Sequence, residues 1–472
     1  MKSVAVVVAV VRRQWAGWAL AAVIALAARP ARADGAFPDG QSILVPADRP
    51  QEILLATNFG VLASEDAGAT WIWSCEQPAN SYGRLYQMGP APAHRLFAIA
   101  GGELVFSDDD ACGWQVAGGA LAAQLCEDAF VDPTDATRVI AAGLAAGTGG
   151  AAYTVFESTD GGATFGQTLY RGSPGDLVTG LEIAASDPRT IDLALAKGSA
   201  AAPTLARSID GGATWQLADL TAALGAGQVR IVAIDPTDAD RVWLRGLGAD
   251  GDALALATDG GATVAVPLSF DSGWLTAFVR TAAGTLLAAG TIAGAPALFR
   301  STDGGATFGA LASPPHILAL AERAGTVYAA TDTTYDPFAE ATSTDDGTTW
   351  QPGLAFAHVA AIAPCLKGVC QTDCAARAQL KQWPAAVCTA EVALIDTPDG
   401  GVTIDAGAPD ATAVRPFRDG AVGLPIDAGD TPRLPPNGCS CATTPSADSA
   451  PLRGALLLSL PLLSRRRRVQ KS

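Results

Sequence analysis

Histidine, methionine and tyrosine are scarce in this chain of 472 residues, which has three, two and six of them. His94, His316 and His358 stand far apart and share no spacing that would assemble a metal site or a nucleophile–base pair. Little material is left for a haem, copper or zinc protein, and neither a metal nor a cofactor is expected. Charged residues are also few: Asp, Glu, Lys and Arg make up 17%, against 49% hydrophobic residues. That balance excludes a charge-rich disordered chain. An excess of positive charge is missing too. The formal net charge is −16, which argues against nucleic acid as a partner.

The basic residues that do occur are crowded at the two ends. Residues 1–33 combine Lys2, Arg12 and Arg13 with an apolar stretch from Trp15 to Ala28, then Ala31-Arg32-Ala33 before Asp34. This is the order of an export signal with a small-residue cleavage site; a single-pass anchor is the alternative. At the other end, residues 438–472 hold Cys439 and Cys441, a polar spacer, an apolar run over 454–463, and Arg465 to Arg468. About ten apolar residues are short for a bilayer core of ~30 Å. The arginines would hold that end on the cytoplasmic side. Without the ten basic groups of residues 1–33 and 465–472, 21 remain against 47 acids, a net of −26 on the body.

What the chain has in abundance is a repeated octet. Its copies are marked by Ser64, Asp66, Gly68 and Trp71; by Asp109 and Trp114; by Ser158, Asp160, Gly162 and Phe165; and by Ser208, Asp210, Gly212 and Trp215. Three more follow at Asp259 and Gly261; at Ser301, Asp303, Gly305 and Phe308; and at Ser343, Asp345, Gly347 and Trp350. The aspartates are 43, 51, 50, 49, 44 and 42 residues apart, a period that suits a four-stranded propeller blade. Between octets lie short apolar or β-branched runs bounded by turns, among them Asp132-Pro133, Asp187-Pro188 and Asp235-Pro236. The expected fold is all-β: a seven-bladed β-propeller of four-stranded antiparallel blades over residues 34–362. In each octet the Asp can accept downstream N–H groups, the Gly can take a positive φ, and the aromatic can pack into the sheet, closing a hairpin between the third and fourth strands.

These octets resemble the Asp-box, or BNR repeat, of the pattern Ser-x-Asp-x-Gly-x-Thr-Trp. That family includes sialidases, sortilin-type receptors, some endoglucanases and photosystem II assembly factors. The resemblance covers roughly residues 36–360. It implies that the octets are structural and lie away from the ligand-binding face. Two copies depart from the pattern: Ser107–Trp114 lacks the fifth-position Gly, and Ala257–Val264 lacks both the Ser and the aromatic. Those two hairpins are expected to be looser, or fastened in another way. The last 35 residues or so resemble the myxobacterial C-terminal sorting tail, which implies processing near Cys439 or Cys441 and display at the surface of a Gram-negative cell. A retained transmembrane anchor is the alternative.

No catalytic residue is nominated. A sialidase needs an arginine triad, a Tyr–Glu pair and an acid, and the early arginine motif of that family has no match here. Arg84, Arg95, Arg230, Arg280 and Arg300 are scattered. The expected function is a non-catalytic module that binds a protein or glycan on the propeller face; the alternative is a glycan hydrolase, sialidase- or glucanase-like, that uses carboxylates exposed on a face. Cys365, Cys370, Cys374 and Cys388 crowd into residues 363–390, where two disulfides closing a small helical insert around Ala375–Lys381 are expected. Cys75, Cys112 and Cys126 would leave one pair and one thiol. Residues 391–437, rich in Asp, Gly, Ala and Pro, read as a disordered acidic stalk.

Overall fold

The computed structural model describes residues 40–79, 83–122, 124–145, 151–391, 393–396 and 402–405. The export signal, Cys439, Cys441 and the basic end lie outside the described residues.

Seven sheets follow one another along the chain as the blades of a propeller, six of them four-stranded and antiparallel and blade 1 carrying a fifth, parallel strand. Their inner strands are Gly40–Leu44, Gly83–Met88, Leu125–Val131, Leu177–Ile183, Gln228–Asp235, Gly273–Arg280 and Ile317–Arg323, which number blades 1 to 7. The Asp-Pro turns follow the inner strands of blades 3, 4 and 5, as the recurring register implies. Among the described residues each blade draws its four antiparallel strands from one contiguous stretch, and no terminal strand makes up another blade's four. Instead, Ala361–Ile362 leaves blade 7 and pairs in parallel with Ile72–Ser74, the outer strand of blade 1.

The burial pattern explains the composition. Inner and second strands are sandwiched between neighbouring blades, so they read as unbroken apolar runs rather than as alternating ones. Ile53–Thr57 and Leu96–Ala100 are buried at every residue. Small side chains such as Ala141, Ala194, Ala288 and Ala329 are fully buried there and let adjacent sheets approach. Among the described residues the apolar core divides into seven wedges, one in each joint between blades. Val229 and Leu244 of blade 5 meet Ala194 and Leu205 of blade 4, for example. At about 1.5–3 kcal/mol for each large side chain buried, these wedges supply most of the driving force.

The octets connect third to fourth strands in every blade. In the fourth copy Ser208 Oγ donates to Asp210 Oδ1 (2.8 Å) and accepts from Gly212 N (2.8 Å), while Asp210 Oδ1 accepts from Thr214 N (2.8 Å). The same three bonds recur in the first, second, third, sixth and seventh copies. The fourth and fifth octet positions have positive φ throughout, as at Gly304 (70°) and Gly305 (87°). Glycine has a second reason at the fifth position. A Cβ on Gly305 would lie 2.1 Å from Trp243 of blade 5, and one on Gly162 would lie 2.6 Å from Phe97 of blade 2. The octet therefore presses its backbone against the preceding blade.

The two departing copies behave differently. In the second, Ala111 adopts φ 68° and still donates to Ser107 Oγ (3.0 Å), and the next residue, Cys112, is disulfide-bonded to Cys365. In the fifth, Asp259–Gly261 forms a 3-10 turn, and Thr263 Oγ1 donates weakly to Asp259 Oδ2 (3.3 Å). There the outer strand Thr263–Asp271 is long enough to hold the hairpin by backbone pairing.

The cysteine pairing differs from the expected one. Only Cys374–Cys388 closes within the insert; Cys370 pairs with Cys75 and Cys365 with Cys112. The parallel pairing of Ala361–Ile362 with Ile72–Ser74 carries residues 363–388 onto blade 1, within reach of cysteines nearly 300 positions earlier. The helix there is Lys367–Gln379, longer than Ala375–Lys381, and it docks on an aromatic cluster. Trp383 lies 4.9 Å from Trp73, and Phe356 lies 5.0 Å from Phe59 between ring centres. The Arg377 guanidinium covers the Phe59 ring at 4.2 Å. Cys126 keeps a thiol, buried in blade 3, that donates to the Asp128 carbonyl (3.6 Å). A further difference lies in residues 391–437: Ala393–Asp396 pairs antiparallel with Val402–Asp405, because two β-prone runs flank Asp399-Gly400-Gly401.

Candidate functional site

Where strands alternate in direction, the end of the first strand and the turn between the third and fourth fall at the same end of a blade. The ends of the inner strands and all seven octets therefore share one end of the ring. At this end, around the ring axis, lies a cavity of about 110 Å³. Its wall comes from blades 3 to 7 and includes Phe130, Glu182, Asp235, Trp243, Phe278, Arg280 and Glu322. The resemblance implied a ligand face away from the octets; this cavity is at their end.

The cavity's carboxylates are held by neighbouring backbone. Glu182 of blade 4 accepts from Ile234 N of blade 5 (2.9 Å), and Glu322 of blade 7 accepts from Ala282 N after the inner strand of blade 6 (3.2 Å). Asp235 accepts from both Thr237 N (2.9 Å) and Thr237 Oγ1 (2.7 Å), and Arg280 Nε is 3.3 Å from its other oxygen. The same device recurs on the inner strand of blade 3 and the third strand of blade 5. Asp128 accepts from Leu181 N (3.0 Å), and Asp252 accepts from Leu275 N (3.0 Å), each across a joint. A carboxylate that takes a backbone N–H from the next blade is a cross-brace, and these bonds to a charged acceptor are worth about 1.5–3 kcal/mol each.

Arginines perform the converse task. Arg95 Nη1 donates to Gly161 O (2.6 Å), Arg241 Nη2 to Gly304 O (2.6 Å), and Arg300 Nη1 to Thr348 Oγ1 (2.9 Å), each reaching the octet of the next blade. Arg138 and Arg207 likewise reach blades 4 and 5 through Pro188 O and Ala239 O. Arg323 joins blade 7 to blade 1 through Pro46 O (3.2 Å) and Arg49 O (3.0 Å). Two of the arginines that looked scattered, Arg95 and Arg300, are thus staples, while Arg280 lines the cavity. Where blades 1 and 2 meet, Asp48 lies 3.6 Å from His94.

The octet residues do not converge on one place; each stays in its own blade. Four of their aspartates are tuned by the hairpin. The Thr164 and Thr214 hydroxyls hold Asp160 and Asp210 down to about 2, the Thr307 hydroxyl lowers Asp303, and the Thr349 backbone N–H, then its hydroxyl, lowers Asp345. Burial does the opposite to four glutamates. It lifts Glu65 to about 8, Glu76 and Glu340 to about 7, and raises Glu52 as well. The histidines do not meet either. Burial lowers His94 to about 3, His316 stacks on Tyr335 at 4.4 Å, and His358 ends the turn Phe356–His358. Among the described residues no group of three or more His, Cys, Asp or Glu could hold a metal ion. No helix among them is long and apolar enough to cross a membrane.

Sequence reasoning missed Glu182, Arg280 and Glu322. The available signal was their position: each lies at the end of an inner strand, close to the turn marked by Asp-Pro in blades 3 to 5.

No family model matches the chain, and no curated protein does. Solved structures do. The GH74 xyloglucanase of Xanthomonas campestris is 15% identical over 69% of this chain and 59% of its own, with a TM-score of 0.32. YCF48 from Cyanidioschyzon merolae is 14% identical over 62% of this chain and 92% of its own, at 0.42. The extracellular domain of a putative hybrid two component system from B. thetaiotaomicron is 11% identical over 66% of this chain and 38% of its own, at 0.46. The chain thus spans 59% of the xyloglucanase's length. At these identities and scores the likenesses carry no argument about this chain.

Proposed function

We propose that this chain is an exported, surface-held propeller of the Asp-box kind whose ring is a non-catalytic module for binding a protein or a glycan. The single observation that carries this reading is the use made of the axial carboxylates. Glu182, Asp235 and Glu322 accept backbone or threonine donors, and two of them brace neighbouring blades. A hydrolase needs one carboxyl to act as acid and a second to act as base or nucleophile, both turned toward the same bond. A cavity of about 110 Å³ is also small beside the ~300–1,000 Å³ of sites that engulf a ligand. The export signal at 1–33 and the Cys439/Cys441 tail give the module its place: translocation, then attachment at the cell surface by the short apolar run and its arginines. The acidic body, at −26, favours basic partners and repels anionic polymers.

Incubation with fluorogenic sialosides and a panel of glucans tests the catalytic side; no release above the uncatalysed rate is expected, and turnover would overturn the reading. Mass spectrometry of surface-labelled protein tests its location. Loss of Arg465 to Arg468 is expected from the sorting tail, and an intact terminus would contradict it.

A further inference from the structure

Among the described residues Tyr335 is the one aromatic side chain that stands exposed, at 66%. It belongs to the connection between Thr326–Thr331 and Glu340–Ser343, the second and third strands of blade 7. Hydrogen bonds hold that connection to the segment before the inner strand. Asp332 N donates to His316 O (2.9 Å), and His316 N donates to Asp336 Oδ2 (2.7 Å). Tyr335 N and Asp336 N both donate to Asp332 O, and Thr334 N donates to Asp332 Oδ1 (2.8 Å). The His316 imidazole backs the phenol ring, 4.4 Å away and 19° from parallel. One face of the ring is therefore supported while most of the side chain meets water. Two carboxylates, Asp332 and Asp336, and the exposed Thr334 stand within three residues of it. His316 precedes the start of an inner strand, so this platform lies at the end of the ring away from the octets.

We infer that Tyr335 is the platform of a binding site for a neutral sugar ring. A sugar presents a flat face of C–H groups edged by hydroxyls. The face asks for an aromatic surface, and the edge asks for carboxylates and hydroxyls close by. An apolar segment docked here would strip water from Asp332 and Asp336 and give nothing back. An acidic sugar would be repelled by the net charge of −26 on the body. Because the loop already fixes the ring, little side-chain freedom is lost when a ligand stacks on it. The inference rests on the binding-module reading and narrows its ligand to a neutral glycan.

Calorimetric titration of the full chain with cellohexaose, laminarihexaose and maltohexaose, against hexagalacturonate and a proline hexapeptide, tests it. Saturable binding of at least one neutral hexasaccharide is expected, indifferent to salt, with the acidic sugar and the peptide silent. Tyr335→Ala should weaken that binding about tenfold, and Tyr335→Phe, which keeps the ring and loses only the hydroxyl, should retain most of it. Both variants should unfold at the wild-type temperature, since the side chain is exposed. Saturation-transfer NMR on the wild type, passing from aromatic protons to the sugar C–H protons, decides the matter if Tyr335→Ala does not fold. No binding of any neutral hexasaccharide, indifference to a folded Tyr335→Ala, no transfer to the sugar, or equal binding of hexagalacturonate or the peptide would each overturn the inference. Failure here leaves the binding-module reading standing, because that reading falls only to glycan turnover.

Discussion

Loss of the two long-range disulfides is the perturbation whose size can be worked out most fully. Cys75–Cys370 and Cys112–Cys365 close loops of 295 and 253 residues, and in the chain-entropy model the first bridge formed restrains the unfolded chain by about 5.5 kcal/mol. The second adds less, because the loops are nested. With one bridge in place, the other closes only the segments 75–112 and 365–370, a loop of about 42 residues, for about 4 kcal/mol. Cys75→Ala/Cys370→Ala should therefore cost about 4 kcal/mol, which for a ring of this size lowers Tm by about 5 °C. The quadruple variant, which also loses Cys112 and Cys365, should cost about 9 kcal/mol, within the whole stability of an ordinary domain. The ring should then open at the joint of blades 7 and 1, where the apolar wedge, Arg323 and the strand Ala361–Ile362 remain as its fastening. Differential scanning calorimetry of the three proteins, with peptide mapping to establish the pairs, is the assay. An unchanged Tm in the quadruple variant, or disulfides confined to residues 365–388, would refute the reasoning.

Three more predictions concern single residues and pH. Gly305→Ala should cost about 3 kcal/mol, since its Cβ would meet Trp243 at 2.1 Å and its φ is 87°. Gly68→Ala, with the nearest atom at 3.6 Å, should cost about 1 kcal/mol, and denaturant unfolding compares the two. Ser208→Ala strips a buried acceptor from Gly212 N and a donor from Asp210, for a loss of about 2 kcal/mol in the same assay. Stability should peak between the ordinary aspartate and glutamate ranges. Asp160 and Asp210, held near 2, contribute above 3.8 and lose their contribution as pH falls toward 2. Glu65, Glu76 and Glu340 are raised to about 8, 7 and 7, so the folded chain holds protons the unfolded chain has released, and stability falls as pH rises from 4.5 to about 8. Glu65→Gln should flatten that alkaline limb, and a stability that rises between about pH 5 and 8 would contradict the assignment.

The ring was legible because a propeller repeats its local chemistry. Each octet satisfies itself within eight residues, so Ser208, Asp210 and Gly212 announce a hairpin without reference to the rest of the chain. The Asp-Pro turns then place the inner strands. What was not legible depends on contacts between blades. The second reason for Gly305 is Trp243, some sixty positions earlier, and the partners of Cys365 and Cys370 become visible only once the outer strand of blade 1 is known to accept a fifth strand. The insert's crowded cysteines suggested local closure because sequence distance hides that the chain has come round to its start. The axial residues were hidden for a related reason. Glu182, Arg280 and Glu322 occupy three different blades with no shared motif, and the ring alone brings them together.

The central claim is that the axial carboxylates hold the blades together and perform no chemistry. Side-by-side measurement of glycan turnover and thermal stability in the wild type and in Glu182→Gln tests it most directly. The account predicts no turnover in either protein, with a Tm lowered in the variant because the Ile234 amide exchanges a charged acceptor for a neutral one. Wild-type turnover that disappears in the variant while Tm stays unchanged would contradict it.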